Sequence, residues 1–483
     1  RVLAQAGLTP GDLKSVVHGT TLATNAVIER RGARIAFITT EGFRDTLEMG
    51  TESRYDHYDL NVEKTAPLVP RDLRLAVAER ISAQGRVLRE LDEDGVHALL
   101  PRLDAAKIEA VAIGFLHSYA NPVHERRVGE ILRKARPGLL VSLSSEVAPE
   151  IREYERFATV CVNAYVQPVI NGYLARLESA LACRGVKAPL LLMLSNGGLC
   201  EVEIARRFPV RLLESGPAGG AILAADVARS LGIDKALLVD IGGTTAKLCF
   251  IDDGMPQTSR SMEVARIARF KAGSGIPLRF PVIELAEIGA GGGSIARIDA
   301  IGRLRVGPES AGSVPGPACY GCGGASPTVT DAHLLLGRLD AEEFAASTMT
   351  LDTIAAKTVY GALGKALGLS PEDAAWSVCE IVDENMASAV HEHAVEVGKG
   401  VDGRTLIAIG GMAPLHAARL AEKLGLDRVV IPAGAGVGSA LGFLRAPIAF
   451  ETTRSVQLGL ALFDAASANL IICLLYTSDA ADE

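Results

Sequence analysis

The sequence predicts an α/β protein built from two lobes, on three observations. Apolar runs of strand length alternate with helix-like stretches along almost the whole chain, which is the pattern of layered α/β architecture rather than of a sandwich or a bundle. At 483 residues the chain exceeds what a single hydrophobic core normally serves. Its 50 glycines gather at a few points, and such clusters mark tight turns or close approaches of backbone.

Taken in order, residues 1–13 read as a short amphipathic helix ending in a turn. Residues 34–39 (RIAFIT), 110–116 (AVAIGFL), 139–143, 190–194, 236–240 and 405–409 read as buried strands. Helices are expected over 219–231, 371–397 and 414–424, where apolar residues recur at three- and four-residue steps. Ser370 is placed to cap the second of these, with Pro371 at the first position and Glu372 and Asp373 facing the positive end of the dipole. Turn residues at 137–138 and 232–235 suggest domains over 1–138 and 139–452, with a second lobe from about 235, followed by a terminal stretch over 453–483.

Bulk properties exclude several functions. A net charge of -8 without a clustered basic face argues against nucleic acid. No apolar run reaches the roughly 18 residues of a membrane span, so no membrane is expected. Eight scattered cysteines suit a reducing cytoplasm. Cys319 and Cys322 form one CxxC without a second pair, and read as loop or buried thiols rather than zinc ligands. The chain begins without Met, and residues 473–483 (CLLYTSDAADE) break from the preceding pattern like the read-through of a sequencing adapter. That tail is set aside from fold reasoning.

Four glycine-rich elements carry the chemistry. In the first, ALLVDIGGTTAKLCFIDDG (236–254), a strand enters a Gly-Gly turn and returns as a strand. A P-loop or a dinucleotide site would continue as a helix instead. There Gly242 and Gly243 let backbone N–H groups, with the hydroxyls of Thr244 and Thr245, approach phosphate oxygens. Asp240 at the rim can hold Mg²⁺ through water or orient an attacking group. An ordinary glycine hairpin is the plainer reading of this segment alone.

The second element, ESGPAGG, puts Ser215, Gly216, Gly219 and Gly220 at the mouth of a helix, where an anion is favoured, although small residues there also permit close helix packing. In the third, a strand runs into Gly410-Gly411 and a helix opened by Pro414, a turn able to admit a base or ribose; His416 on that helix reads as a core histidine. The fourth, Gly289 with Gly291, Gly292 and Gly293, presses backbone against either a ligand phosphate or a crossing strand.

The strand, DxGGT turn, strand, SGPAGG and late GG-helix elements together resemble the sugar kinase/actin/heat-shock-70 ATPase fold, with ribonuclease H-like lobes. More closely they resemble its hydantoinase A/5-oxoprolinase branch. The match runs through HGTTLATNAVIERRGARIAFITTEGFRD (18–45), GFLHSYANPVHE (114–125), SSEVAPEIREYER (144–156), NAYVQP (163–168), LSNGG (194–198), ESGPAGG, DIGGTT, GAGGGSIA, PGPACYG (315–321), TVTDA (328–332) and GGMAPLHA. Two departures stand out. The family's opening DxGGTFTD hairpin is missing ahead of HGTT, so an N-terminally truncated, incomplete first lobe and an inactive fragment are expected. In addition, Lys247 stands where DMGGTSTD has its acid.

The resemblance implies ATP-dependent opening of a cyclic amide such as a hydantoin or 5-oxoproline by phosphorylation of its carbonyl oxygen. ATP and Mg²⁺ would be the cofactors and a B-type sister subunit the partner in a hetero-oligomer. It implies catalytic roles for Asp240, Thr244, His18 and Thr20. Contacts to nucleotide would come from Gly242, Gly243, Thr245, Ser215, Gly216, Gly219, Gly291, Gly292, Gly410 and Gly411, and metal binding from Asp240 and Asp331. His18 and Thr20 could instead belong to a polar turn capping the next helix, and Asp331 could cap the helix after it. Arg54, Asp56, His57 and Tyr58 read as a surface loop, and His117 and His124 as structural histidines. The alternatives are the β-type subunit of an acetone or acetophenone carboxylase, and a non-catalytic ATP-binding switch.

Overall fold

The structure, a computed structural model, describes residues 2–268, 271–344, 348–455, 464–466, 468–470 and 472–473. Most of the 453–483 stretch, including residues 474–483 of the adapter-like tail, lies outside the described residues. The chain forms two compact units, one of Arg1–Gly216, Ser259–Val282 and Ala446–Glu483, the other of Pro217–Thr258 and Ile283–Arg445.

In the first unit, the strands Arg74–Val77, Ile35–Thr40, Ala110–Gly114 and Leu140–Leu143 make a parallel sheet in that order. Ile35–Thr40 and Ala110–Gly114 are buried throughout, which is why both read as unbroken apolar runs instead of alternating ones. The 30-residue helix Glu153–Ala182 covers one face. It comes so close that a Cβ on Gly114 would meet the Phe157 ring at 2.5 Å. Helices Glu93–Ala105 and Val123–Ala135 cover the other face. The turn at 137–138 therefore leads from a covering helix to the next strand of the same sheet, within the first compact unit. A separate sheet joins Val16–His18, Leu190–Met193 and Leu199–Glu201.

The second unit is built on a mixed sheet in the order Met255–Pro256, Ala246–Asp252, Lys235–Ile241, Thr405–Ile409 and Arg428–Val430, with Ala286–Ile288 also paired to Ala246–Asp252. Helices Val329–Leu335, Thr353–Leu367, Pro371–Glu396 and Ala413–Lys423 contribute to its core. The expected cap is present, since Ser370 Oγ accepts the Asp373 N–H at 3.0 Å. The helix expected from 219 begins earlier, spanning Ser215–Ser230, because its first turn is made of small residues that carry no apolar periodicity. The unit boundary falls inside this helix, between Gly216 and Pro217, rather than at 232–235.

Candidate functional site

The glycine turn closes a hairpin, as its sequence suggests. Lys235–Ile241 pairs antiparallel with Ala246–Asp252 from Lys235↔Asp252 to Ile241↔Ala246, and the Gly242 N–H donates to the Thr245 carbonyl at 3.1 Å. Among the described residues, the N–H groups of Gly243, Thr244 and Thr245 meet no acceptor, and Gly243 and Thr244 are exposed. Three neighbouring unpaired donors make a concave, electropositive turn of the kind that receives an oxyanion.

Asp240 ends the incoming strand and is walled by backbone. A Cβ on Gly410, whose φ is +88°, would lie 2.5 Å from Asp240 Oδ1 and 2.5 Å from the Ile241 carbonyl oxygen. One on Gly220 would lie 3.1 Å from Asp240 Oδ2. Ser439 Oγ donates a long bond to that same oxygen at 3.5 Å. Burial pushes the Asp240 carboxyl above the ordinary range, while the charge of Lys247 and the Ser439 hydroxyl pull it back. Lys247 is the cross-strand partner of Asp240, and its ammonium also lies 3.1 Å from Glu287 Oε1. A largely desolvated carboxylate with so few donors is a costly feature that functional sites retain.

The GAGGG run is the turn between the strands Ala286–Ile288 and Ser294–Ile298, and its backbone packs against the Gly242–Gly243 turn. The Gly291 N–H donates to Ser294 Oγ at 2.9 Å, that of Gly292 to the Gly242 carbonyl at 3.1 Å and that of Gly293 to the Gly243 carbonyl at 2.6 Å. With these amides spent, Gly291 and Gly292 brace the turn from behind. A Cβ on Gly291 would come within 2.8 Å of the Gly243 and Thr244 backbone. Gly219 is likewise closely packed, since a Cβ there would lie 2.5 Å from the Phe443 ring and from the Ser439 carbonyl oxygen. The amides of Gly291 and Gly292 are therefore occupied by protein acceptors. Gly410 is also tied in, its N–H donating to the Ala435 carbonyl at 2.8 Å, whereas Gly411 is exposed with open space around its Cα.

Asp331 is not free to hold a cation. Its carboxylate accepts from the N–H groups of Ala318 (3.2 Å), Cys319 (2.7 Å) and Thr328 (3.0 Å) and from the Thr328 hydroxyl (2.8 Å). It forms a capping box with Thr328 for the Val329–Leu335 helix and pins the PGPACYG turn. Asp331→Ala should destabilise the protein by about 2–4 kcal/mol, because four buried donors lose their acceptor. Chemical denaturation checks this, and a change within about 0.5 kcal/mol would overturn the structural assignment. Cys319 is buried and Cys322 exposed, and no group of three or more His, Cys, Asp or Glu poised for a metal occurs among the described residues.

The remaining candidates belong to the first unit. His18, the last residue of its strand, shares a 2.7 Å hydrogen bond between Nε2 and the Tyr173 hydroxyl, and burial lowers its pKa. Thr20 Oγ1 accepts the Leu22 N–H at 3.1 Å, where the Leu22–Ile28 helix begins. The Thr20 carbonyl accepts from Ser215 Oγ at 3.3 Å. Of these bonds only that from Leu22 to Thr20 is local, the other two joining residues more than 150 positions apart. His124 is buried with Nδ1 2.8 Å from Glu79, while Asp56 pairs with Lys271 at 2.6 Å and is held below the usual carboxylate range by that bond.

His416 is a core residue, as its apolar helix suggests. Its Nδ1 lies 2.7 Å from Asp383 and its Nε2 3.1 Å from Nε2 of His333. Burial first, then the charges of His416 and Arg338, drive the His333 pKa down to about 2. The unfolded chain protonates this imidazole near its ordinary value but the folded chain does not, so His333 costs nothing above about pH 6.5 and increasingly disfavours folding as pH falls below it. Melting temperature measured from pH 7.5 to 5 should fall less steeply in His333→Phe than in the parent protein, and parallel slopes would sink the assignment.

Ser439, Thr330 and Ser294 escaped the sequence reading. Thr330 Oγ1 donates to the Gly292 carbonyl at 2.8 Å, so both Thr330 and Ser294 hold the glycine turn 289–293. A signal for Ser439 did exist in the alternating glycines Gly434, Gly436 and Gly438 that precede it.

Comparison with known proteins assigns the ancestry. The family model described as Hydantoinase/oxoprolinase matches residues 156–452, and that of the Hydantoinase/oxoprolinase N-terminal region matches 1–136. The caprolactamase subunit alpha of Pseudomonas jessenii is 35% identical over 94% of this chain and 65% of its own length. The crystal structure of ATP-dependent caprolactamase from that organism superposes with a TM-score of 0.80, covering 92% of this chain and 64% of the other. The 5-oxoprolinase of Saccharomyces cerevisiae is 33% identical over 91% of this chain and 36% of its own length. A nucleotide-free structure of acetone carboxylase gives a TM-score of 0.75 at 28% identity, again covering 92% and 64%. The chain thus spans less than two thirds of the length of these relatives. The fold is α/β and of the actin-like ATPase kind, as expected, and no described helix is long and apolar enough to cross a membrane.

Proposed function

The chain belongs to the hydantoinase/oxoprolinase family, and from that premise we propose that it is the ATP-using subunit of an enzyme that opens a cyclic amide by phosphorylating the ring's carbonyl oxygen. Caprolactam and 5-oxoproline, named by the relatives above, are both cyclic amides. The observation that carries the reading is the trio of unpaired N–H groups at Gly243, Thr244 and Thr245 beside the shielded carboxylate of Asp240.

An amide carbonyl is a poor electrophile, and transfer of a phosphoryl group to its oxygen turns that oxygen into a leaving group. Phosphoryl transfer asks the protein for position and charge stabilisation more than for covalent chemistry. In this reading the turn amides and the Thr244 hydroxyl hold phosphate oxygens, and Gly411 leaves space for the rest of the nucleotide. Magnesium ordinarily keeps several waters and takes one or two carboxylates together with phosphate oxygens. A single carboxylate such as Asp240 fits that mode, and the ion would supply neutralisation of phosphate charge. A B-type sister subunit would complete hydrolysis, so the working enzyme is a hetero-oligomer. The protein's place is the cytoplasm, where ATP and reduced thiols coexist.

The acetone carboxylase match favours a second reading, in which a ketone or bicarbonate accepts the phosphoryl group. Phosphate release from ATP, measured with the partner subunit present, separates the two. Stimulation by hydantoin, caprolactam or 5-oxoproline supports ring opening. Stimulation by ketone with bicarbonate alone replaces it with carboxylation, and a response to neither refutes both.

A further inference from the structure

The first unit encloses a cavity of about 290 Å³, large enough for a small ring. Its walls are the polar loop of residues 50–68, the first turn of the Glu153–Ala182 helix and residues 273–277. The loop is anchored to the opposite wall, with Asp56 paired to Lys271 and the Thr65 hydroxyl donating to the Ser274 carbonyl.

Most polar groups in the lining are already occupied. Glu48 binds Arg74 at 2.7 Å, and Glu263 accepts from the Gly273 N–H at 2.8 Å and from Arg266 at 3.0 Å. Lys64 donates to the Met49 carbonyl and Arg54 to that of Asp59, each at 3.0 Å. Four oxygen-bearing side chains are left over, of which Glu52 and Tyr55 belong to the loop and Tyr154 and Glu155 to the helix. The hydroxyl of Tyr154 and the carboxylate of Glu155, adjacent on the helix, have no hydrogen-bond partner among the described residues. Leu47, Ala158 and Ile276 supply apolar surface beside them.

An acceptor and a donor on successive residues, with Leu47, Ala158 and Ile276 beside them, match the edge of a ring amide, where N–H and C=O lie cis. With Glu48 and Glu263 neutralised by their own arginines, Arg54 and Lys64 stand against Glu52 and Glu155. No positive excess remains to welcome an acid. We infer that this cavity binds the cyclic amide and selects an uncharged ring, Glu155 accepting the ring N–H and Tyr154 donating to the carbonyl. A carbonyl oxygen has two lone pairs, so the bond from Tyr154 leaves one for other chemistry. This rests on the cyclic-amide reading above. Burial, with the charges of Glu155 and Glu263, raises the Tyr154 pKa and keeps the phenol a donor.

The test is ring binding without ATP, followed by ligand-observed NMR and calorimetry on the whole chain with hydantoin, caprolactam and 5-oxoproline. Hydantoin and caprolactam should bind, and Tyr154→Phe and Glu155→Ala should each weaken them by about tenfold or more. The anionic 5-oxoproline should bind the unmodified protein about tenfold less well than hydantoin, a check that needs no variant to fold. Equal or tighter binding of 5-oxoproline overturns the uncharged-ring assignment. Ring-stimulated ATP hydrolysis with undiminished ring affinity in both variants overturns the cavity as the site while sparing the reaction. Ring binding that depends on Tyr154 and Glu155, without stimulated hydrolysis, sinks the reaction and keeps the cavity.

Discussion

Asp240→Asn should cut ATP turnover by about 10²–10³-fold, the usual cost of removing one preorganised electrostatic contact from a reacting centre. The substitution keeps shape and removes charge. Because burial raises the Asp240 pKa, the ionised carboxylate is disfavoured by folding at neutral pH, and that penalty disappears as pH falls below the unfolded value. Asn should therefore melt at an equal or higher temperature than Asp at pH 7, with any gain fading toward pH 3. Activity lost at constant or raised stability is the signature of a functional group. A large fall in melting temperature would instead make Asp240 a structural residue and remove the main support for the nucleotide site.

Gly410→Ala should destabilise the protein by about 2–4 kcal/mol, combining an unfavourable left-handed backbone with overpacking. Its φ is +88°, and the new methyl would press on both Asp240 Oδ1 and the Ile241 carbonyl oxygen at 2.5 Å. That is a large share of a typical folding free energy of about 5–15 kcal/mol. Gly411→Ala is the internal control. Nothing lies within 4 Å of its added Cβ and its φ is not positive, so a change within about 0.5 kcal/mol is expected. Urea denaturation of both variants decides the matter, and equal shifts would mean that the crowding of Asp240 is not what fixes Gly410.

Local pattern carried much of this architecture. Thr405–Ile409 begins and ends where its apolar run does, and the Gly-Gly turn followed by a second strand foretold a hairpin. The Ser370 cap and the core role of His416 were equally legible, since each follows from neighbours in the chain. Glycine clusters marked crowding but not its cause. Gly242–Gly243 and Gly291–Gly293 look alike as text, yet the first turn leaves the Gly243 amide unpaired, whereas Gly292 and Gly293 spend theirs on its carbonyls.

What the sequence determined by itself was the α/β class, the hairpin and the location of the candidate phosphate turn, because these depend on periodicity and turn chemistry within short windows; the family was indicated by the resemblance of motifs along the whole chain. Only tertiary structure decided which glycine amides stay unpaired and which are spent on backbone, that Asp331 is consumed by four donors, and that Ser439 meets Asp240 across 199 positions. A hydrogen-bonding group's availability depends on which partners reach it in space, and that information is not local.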